Sequence, residues 1–259
     1  MFPFLKKAVA LFFGIVPNNS GKTRVFLDGL VVVLLIVYTA AVGKDHLSRP
    51  GFSLRENLGD TISPDFFTPS ILLSCGHSLG RIDPVTVPAL ERFLTGDATH
   101  FSPDDLPEHA DSFPLDDFQQ RHRYLLAFVS LFFALFGIDW HTLIYPELFF
   151  FCAFTASAYA LFRLGMPPFI SGICTIFFSC NTLNLSLISH LRDFCVAPFI
   201  LAAIFLLVRA VTIQDNPLKR FTTIALLGFC LGIGIGFRED VMAVAPISAF
   251  VLFAFLPWS

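Results

Sequence analysis

The chain is short of charge. Only 14% of its 259 residues are Asp, Glu, Lys or Arg, and the net charge of −3 leaves no basic surplus. The shortage excludes a soluble domain of ordinary composition, and the missing basic excess argues against nucleic acid as a partner. No two cysteines stand in the C-x-x-C spacing of zinc and redox sites. Cys152, Cys174, Cys180, Cys195 and Cys230 lie in apolar stretches and only Cys75 in a polar one, so neither a disulfide framework nor a zinc site follows. A phosphate-binding loop is missing as well: Ser20-Gly-Lys-Thr23 has its ending, but Val16 stands where the motif needs glycine and no strand precedes it. Gly232-Ile-Gly-Ile-Gly236 falls short of a dinucleotide fingerprint, because its last glycine comes one residue early in a membrane-type stretch.

What is present is hydrocarbon. Hydrophobic residues make up 55% of the chain, 33 of them Phe, and the mean hydropathy is +0.71, the composition of a polytopic membrane protein. The pattern predicts an all-α transmembrane bundle of about six to seven hydrophobic elements with one long exterior loop containing short surface helices. The expected organisation is a cytoplasmic lead-in over 1–25, a first transmembrane helix over 26–43, the loop over 44–122 and a multi-helix membrane domain over 123–259. Lys6, Lys7, Lys22 and Arg24 precede the first span without any acid, which keeps the N-terminus cytoplasmic by the positive-inside rule. The lead-in reads as a short amphipathic segment and lacks a small-x-small cleavage site.

The loop over 44–122 carries thirteen Asp or Glu against six Lys or Arg, and many prolines. It is too long to be passive. Within it Val85–Leu94 has the spacing of an amphipathic helix lying on the membrane surface, Val87, Leu90, Phe93 and Leu94 down and Glu91 and Arg92 up; the alternative is a solvated loop packed on itself. Further apolar runs follow at Tyr124–Phe136, Thr142–Phe162, Pro167–Ile188, Phe194–Val208, Phe221–Phe237 and Val241–Trp258. The first is short, and it controls the parity of the rest. Counted as a crossing it puts Arg209, Lys219 and Arg220 outside; counted as a re-entrant or surface-lying helix it puts them and Arg163 inside, which the positive-inside rule favours. Gly228, Gly232 and Gly236 repeat every four residues, predicting a helix face for close packing against a neighbour.

Ionisable groups at membrane depth are costly unless paired or bound, so the charge clusters between spans are the functional candidates. His190, Arg192 and Asp193 stand at one turn, and Arg238, Glu239 and Asp240 at another, separated by two spans and hence on the same side. Arginine offers a planar fork for phosphate or carboxylate, while Asp and His exchange protons. Asp193 and Asp240 also suit helix N-termini, where the macrodipole favours acids. Gln120-Arg-His-Arg123 ends the loop where it meets the membrane, a natural place for lipid phosphates. Glu147 is the one carboxylate well inside a span.

The order of a cytoplasmic start, one span, a long exterior loop, the polar Gln120–Arg123 motif leading into the Tyr124 helix, Leu135-Phe-Gly-Ile-Asp139, and helix pairs with Arg192-Asp193 at a turn resembles the GT-C superfamily of membrane glycosyltransferases, in particular its protein-mannosyltransferase and aminoarabinose-transferase branch. The Lys-Pro-Pro or His-Pro-Pro element of that branch is absent and the hydrophobic elements are fewer, as in a divergent or truncated relative. The resemblance implies a bacterial inner-membrane enzyme that moves a sugar from a polyprenyl-phosphate donor to an acceptor on the periplasmic side. It implies catalysis by Arg192, Asp193 and a loop acid, for which Asp45, Asp60, Asp65 and Asp83 qualify and Asp83 is taken. His190, His122, Arg123, Arg238 and Asp240 are the expected substrate-binding residues. No cofactor is required, although a divalent metal ion held by Asp193 and a loop acid would neutralise the leaving phosphate equally well. Two other classes use the same features: a transporter or flippase for a lipid-linked or anionic substrate, and a non-catalytic membrane assembly subunit.

Overall fold

A computed structural model describes residues 21–49, 64–107, 112–212 and 216–255. The part of the lead-in before Gly21, and Asp60 of the loop, lie outside the described residues. The described residues are mostly helical and include four helices long and apolar enough to cross a membrane, which makes the chain an integral membrane protein whose surroundings are a lipid bilayer.

The first long helix, α1 (Gly21–Leu47), is a Val- and Leu-rich run whose outward Val33, Leu34 and Val37 are more than half exposed, as lipid-facing side chains are. Its buried Thr39 bonds back to the Leu35 carbonyl at 2.7 Å, so the hydroxyl costs nothing at that depth. Asp28 ties α1 to the far end of α6 (Ile144–Phe162). It accepts from Tyr159 Oη at 2.7 Å, Arg163 Nε at 2.6 Å and Arg163 Nη2 at 3.1 Å. At the other end Gly43 lies so close to Leu148 and Phe151 that an added methyl would sit 2.9 Å from both. The two helices are therefore antiparallel.

After α6 come α7 (Pro168–Ser179) and α8 (Thr182–Ile188), which together make one broken pass bent by 64°. The amides of Asn181 and Asn184 serve that break. Asn181 caps α8 by accepting from the Asn184 N–H at 2.9 Å, and both side chains donate to the Phe178 carbonyl at 2.6 Å. The four-residue α9 (Leu191–Phe194) leads into α10 (Ala197–Thr212), which packs along α6 and against α11 (Pro217–Phe237). Phe199 near the start of α10 and Phe237 at the end of α11 lie 5.2 Å apart and both face Phe150 of α6. One end of the bundle thus gathers the starts of α6 and α10 with the ends of α1 and α11. The opposite end carries Arg163, Arg209, Lys219 and Arg220. The last helix is α12 (Val244–Phe255).

The described part of the long loop is folded. Residues 64–107 and 112–143 build a folded layer on the first end, from α2 (Thr68–Ser74), α3 (Pro88–Thr95), α4 (Asp117–Arg121) and α5 (Arg123–Phe136). Two-residue strands β1 (His100–Phe101) and β2 (Ile138–Asp139) pair antiparallel. Trp140 is its keystone: the indole stacks on Phe93 with centroids 4.8 Å apart and planes 5° apart, and Nε1 donates to the Phe93 carbonyl at 3.2 Å. Val87, Leu90, Phe93 and Leu94 share the face expected of them and are all buried. Of the two alternatives for this face, a membrane surface and packing within the protein, the second holds, since Phe101 and Trp140 occupy the apolar side of α3.

The short run at Tyr124–Phe136 takes the alternative that the positive-inside rule favours. With 14 residues, α5 spans about 21 Å, short of a hydrocarbon core of about 30 Å. Tyr124 packs on Phe237 at 6.4 Å and Phe136 on Tyr145 at 4.3 Å, so both its ends stay at one end of the bundle and it does not cross. Among the described residues four helices, or five with the broken pair, are long and apolar enough to be passes, against the six to seven hydrophobic elements expected. The glycine row of α11 is not one packing face either. A methyl at Gly236 would collide with the Tyr124 ring and one at Gly234 would press on Phe199, whereas Gly228 and Gly232 face open space.

These passes put residue 216 at the same end as residue 21. A reporter enzyme fused after Gln214 and one fused at the N-terminus are expected to read the same side of the membrane; opposite readings would refute the placement of α5.

Candidate functional site

The site forms where α9, the end of α11 and the start of α5 meet. In α9 the side chains of Leu191 and Phe194 are buried and anchor the short helix, which leaves Arg192 and Asp193 half-buried on its other side. Asp193 takes its N–H bond to the His190 carbonyl at 2.9 Å, which fixes the turn. After Phe237 the backbone leaves the helix as an extended residue at Arg238, φ −161° and ψ 131°, and this swings the guanidinium toward α9.

Asp193 is the meeting point. Arg192 Nε and Nη2 approach its two oxygens at 3.0 and 3.2 Å, and Arg238 Nη1 donates to Oδ1 at 2.6 Å. Arg238 Nε also reaches Asp240 at 2.6 Å. Asp240 is 61% exposed against 33% for Asp193, so water screens the outer pair and the inner group behaves as two cations around one anion. Arg192 lies over the ring of Phe118, 5.5 Å from its centroid. Arg121 bonds Glu239 at 2.6 Å and so ties α4 to the turn after α11, both partners about half exposed.

His122 completes the cluster. It is 4% exposed, with its ring between Phe66 and Phe118. Nδ1 stands 2.8 Å from the Phe118 carbonyl, which can only accept, so Nδ1 carries the proton. Nε2 is buried without a partner. Burial pulls the imidazole below its usual range, as do the cations Arg192 and Arg238, while the Phe118 bond and Asp193 act the other way.

A cavity of about 590 Å³ opens beside the cluster, within the range of small-molecule sites. Asp65, Asp83, Arg81 and Asp116 supply its polar wall, and Phe66 and Phe118 separate it from His122 and Arg192. Asp116 is held by Arg81 at 3.1 Å and caps α4. Asp83 caps the short turn Pro84–Thr86 by accepting from the Val85 N–H at 3.1 Å, and its second oxygen has no bond within the described residues.

Of the residues singled out from sequence, His122, Arg192, Asp193, Arg238 and Asp240 come together. His190 caps α9 beside them. Arg123 turns away over the ring of Tyr124 at 5.4 Å. Asp83 lies across the cavity wall from the arginines. Sequence reasoning missed Phe118 as a platform and the Arg121–Glu239 tie, because both depend on contacts between segments more than seventy residues apart. Among the described residues no three His, Cys, Asp or Glu side chains gather as a metal ion would require. Asp193 is already taken by two guanidiniums, so the donor set does not fit the divalent ion considered above. No protein-family model, curated protein or solved structure matches this chain.

Glu147 stands apart. It is fully buried in the first turn of α6 and neither carboxylate oxygen has a partner. Orphaned buried polar atoms cost about 1–3 kcal/mol, so Glu147→Met, similar in volume, is expected to be more stable and to unfold at a higher thermal midpoint in detergent, and an unchanged midpoint would show that the oxygens are satisfied. For His122 the native state holds fewer protons than the unfolded chain below the ordinary value of 6.5. Stability contributed by its neutral form is therefore complete above that pH and declines as pH falls from it. Unfolding midpoints scanned from neutral to acid pH should fall in the native protein and fall less in His122→Asn.

Proposed function

We propose that this protein is a membrane glycosyltransferase that moves a sugar from a polyprenyl-phosphate donor to an acceptor on the periplasmic side of a bacterial inner membrane, with its N-terminus in the cytoplasm. The observation that carries this reading is the Arg192–Asp193–Arg238 group, two guanidiniums held by one carboxylate at the mouth of a lipid-embedded bundle. The departing polyprenyl phosphate, a phosphate monoester, is a good leaving group when its charge is met, and two planar cations meet it without a covalent intermediate. Asp193 is better suited to aiming the arginines than to accepting a proton, because it already receives hydrogen bonds from both. The base of the reaction then falls to a carboxylate of the neighbouring cavity. Asp83 and Asp65 line it, and either one accepts the acceptor hydroxyl's proton as that oxygen attacks the anomeric carbon. The orientation follows from the basic residues at the opposite end of the bundle, which the positive-inside rule keeps in the cytoplasm.

A second reading, a transporter or flippase for an anionic lipid, is favoured by one observation: Glu147 is a fully buried, unpartnered carboxylate at membrane depth, the kind of group that marks transport paths. A third, an assembly subunit without activity, predicts that site variants alter complex recovery and no sugar product.

Arg192→Ala and Asp193→Ala, each in a membrane-inserted protein of normal yield, are expected to abolish transfer from a polyprenyl-phosphate-linked sugar, measured by mass spectrometry of the acceptor. Normal turnover in both variants would refute the assignment.

A further inference from the structure

The unpartnered Nε2 of His122 has no role in sugar transfer as argued above. It is a buried acceptor beside two guanidiniums, Arg192 and Arg238, that are held by the carboxylates of Asp193 and Asp240. With Nδ1 committed to the Phe118 carbonyl at 2.8 Å, the ring cannot turn over to hide it, and Phe66 and Phe118 hold the ring edge-on and tilted at centroid distances of 5.6 and 4.8 Å. A neutral imidazole is the form such a site keeps while it is empty of anions: burial disfavours the charged ring, Arg192 and Arg238 repel an added proton as well, and the Phe118 bond and Asp193 offset this only in part. The remaining charged groups of the packed elements are engaged elsewhere. On the histidine's own segment Arg121 bonds Glu239 and Arg123 lies over Tyr124; Asp240 faces Arg238; Asp65, next to Phe66, belongs to the cavity.

A bound phosphate inverts this balance. Its negative charge screens both guanidiniums and offers an oxygen that can receive a hydrogen bond, while an unprotonated Nε2 facing that oxygen would set lone pair against lone pair. We propose that His122 is the proton-linked contact of this site: a ligand phosphate entering at Arg192 and Arg238 binds together with a proton taken from water onto Nε2, and the imidazolium so formed donates that N–H to a phosphate oxygen. The inference rests on reading the cluster as a phosphate site and adds that binding there is coupled to proton uptake. Atoms balance simply. The proton leaves the solvent for the Nε2 lone pair, no covalent bond of the ligand changes, and release of the phosphate returns the proton.

The test is calorimetric titration of the detergent-solubilised full chain with two phosphodiesters that do not themselves titrate near neutrality, dihexanoylphosphatidylglycerol and dimethyl phosphate, in buffers of different ionisation heat. Uptake of about one proton per bound phosphodiester is expected, with Kd rising as the pH is raised. In His122→Asn, whose amide can still donate to the Phe118 carbonyl, uptake is expected to vanish and the pH slope to flatten. Uptake with both probes assigns recognition to the phosphate group alone, and uptake with the lipid only assigns it to a chain-bearing headgroup; either result supports the proposal. Binding without uptake, uptake that persists in His122→Asn, or no binding of either probe overturns it. Should the variant fail to fold, nitrogen-15 NMR of the imidazole in the native protein decides: Nε2 must move from the unprotonated to the protonated range when a probe is added, and an unmoved resonance overturns the proposal. A protein that transfers sugar without linked uptake refutes this inference alone, and one that takes up the proton yet transfers no sugar refutes the proposed function alone.

Discussion

The bond from Arg238 to Asp193 at 2.6 Å joins two turns forty-five residues apart, and the architecture of this end of the bundle depends on it. A charge beside hydrocarbon must find a partner or be lost to protonation. Arg238 leaves its helix on an extended residue and Asp193 sits on a helix only four residues long, so neither position is held by regular structure alone. Paired, each fixes the other, and Arg192 joins through both carboxylate oxygens. Removing Asp193 would leave two neighbouring guanidiniums without their shared counter-charge, a larger loss than the pair's own net worth.

The folded layer above the bundle brings the rest of the site to this pair. Trp140 stacked on Phe93 closes the apolar core of the layer, and α5 lies beneath it with one end at Phe237 and the other at Tyr145. The start of α5 therefore falls beside Arg238, and the residues before it, Phe118 and His122, fall beside Arg192. Gly236 matters here for its missing side chain, since any larger residue would displace Tyr124 and with it the entry to the site. A cavity wall shared through Phe118 couples the loop acids to the arginines without a direct bond between them.

Much of this was legible in the chain before folding. The apolar runs marked α1, α6, α10 and α11, because a span long enough to cross a bilayer leaves a compositional trace that needs no partner to read. The apolar face of α3 was legible from its spacing, but its cover was not, since the same face suits lipid and protein core equally well. The common end for His190–Asp193 and Arg238–Asp240 followed from counting two passes between them. Their direct bond did not, nor did the role of Phe118, since neither leaves a local pattern.

The sequence by itself determined a membrane-embedded all-α protein with few charges inside its spans, because hydrocarbon tolerates little else along them. Tertiary structure decided that α5 stays at one end, that the acid-rich segment is a folded layer, that the glycine row splits between a packed and an open part, and that His122 keeps a buried nitrogen without a partner. The physical reason is the same in each case. Burial from lipid is a property of composition, whereas which side chain covers another is set by contacts between segments far apart in the chain.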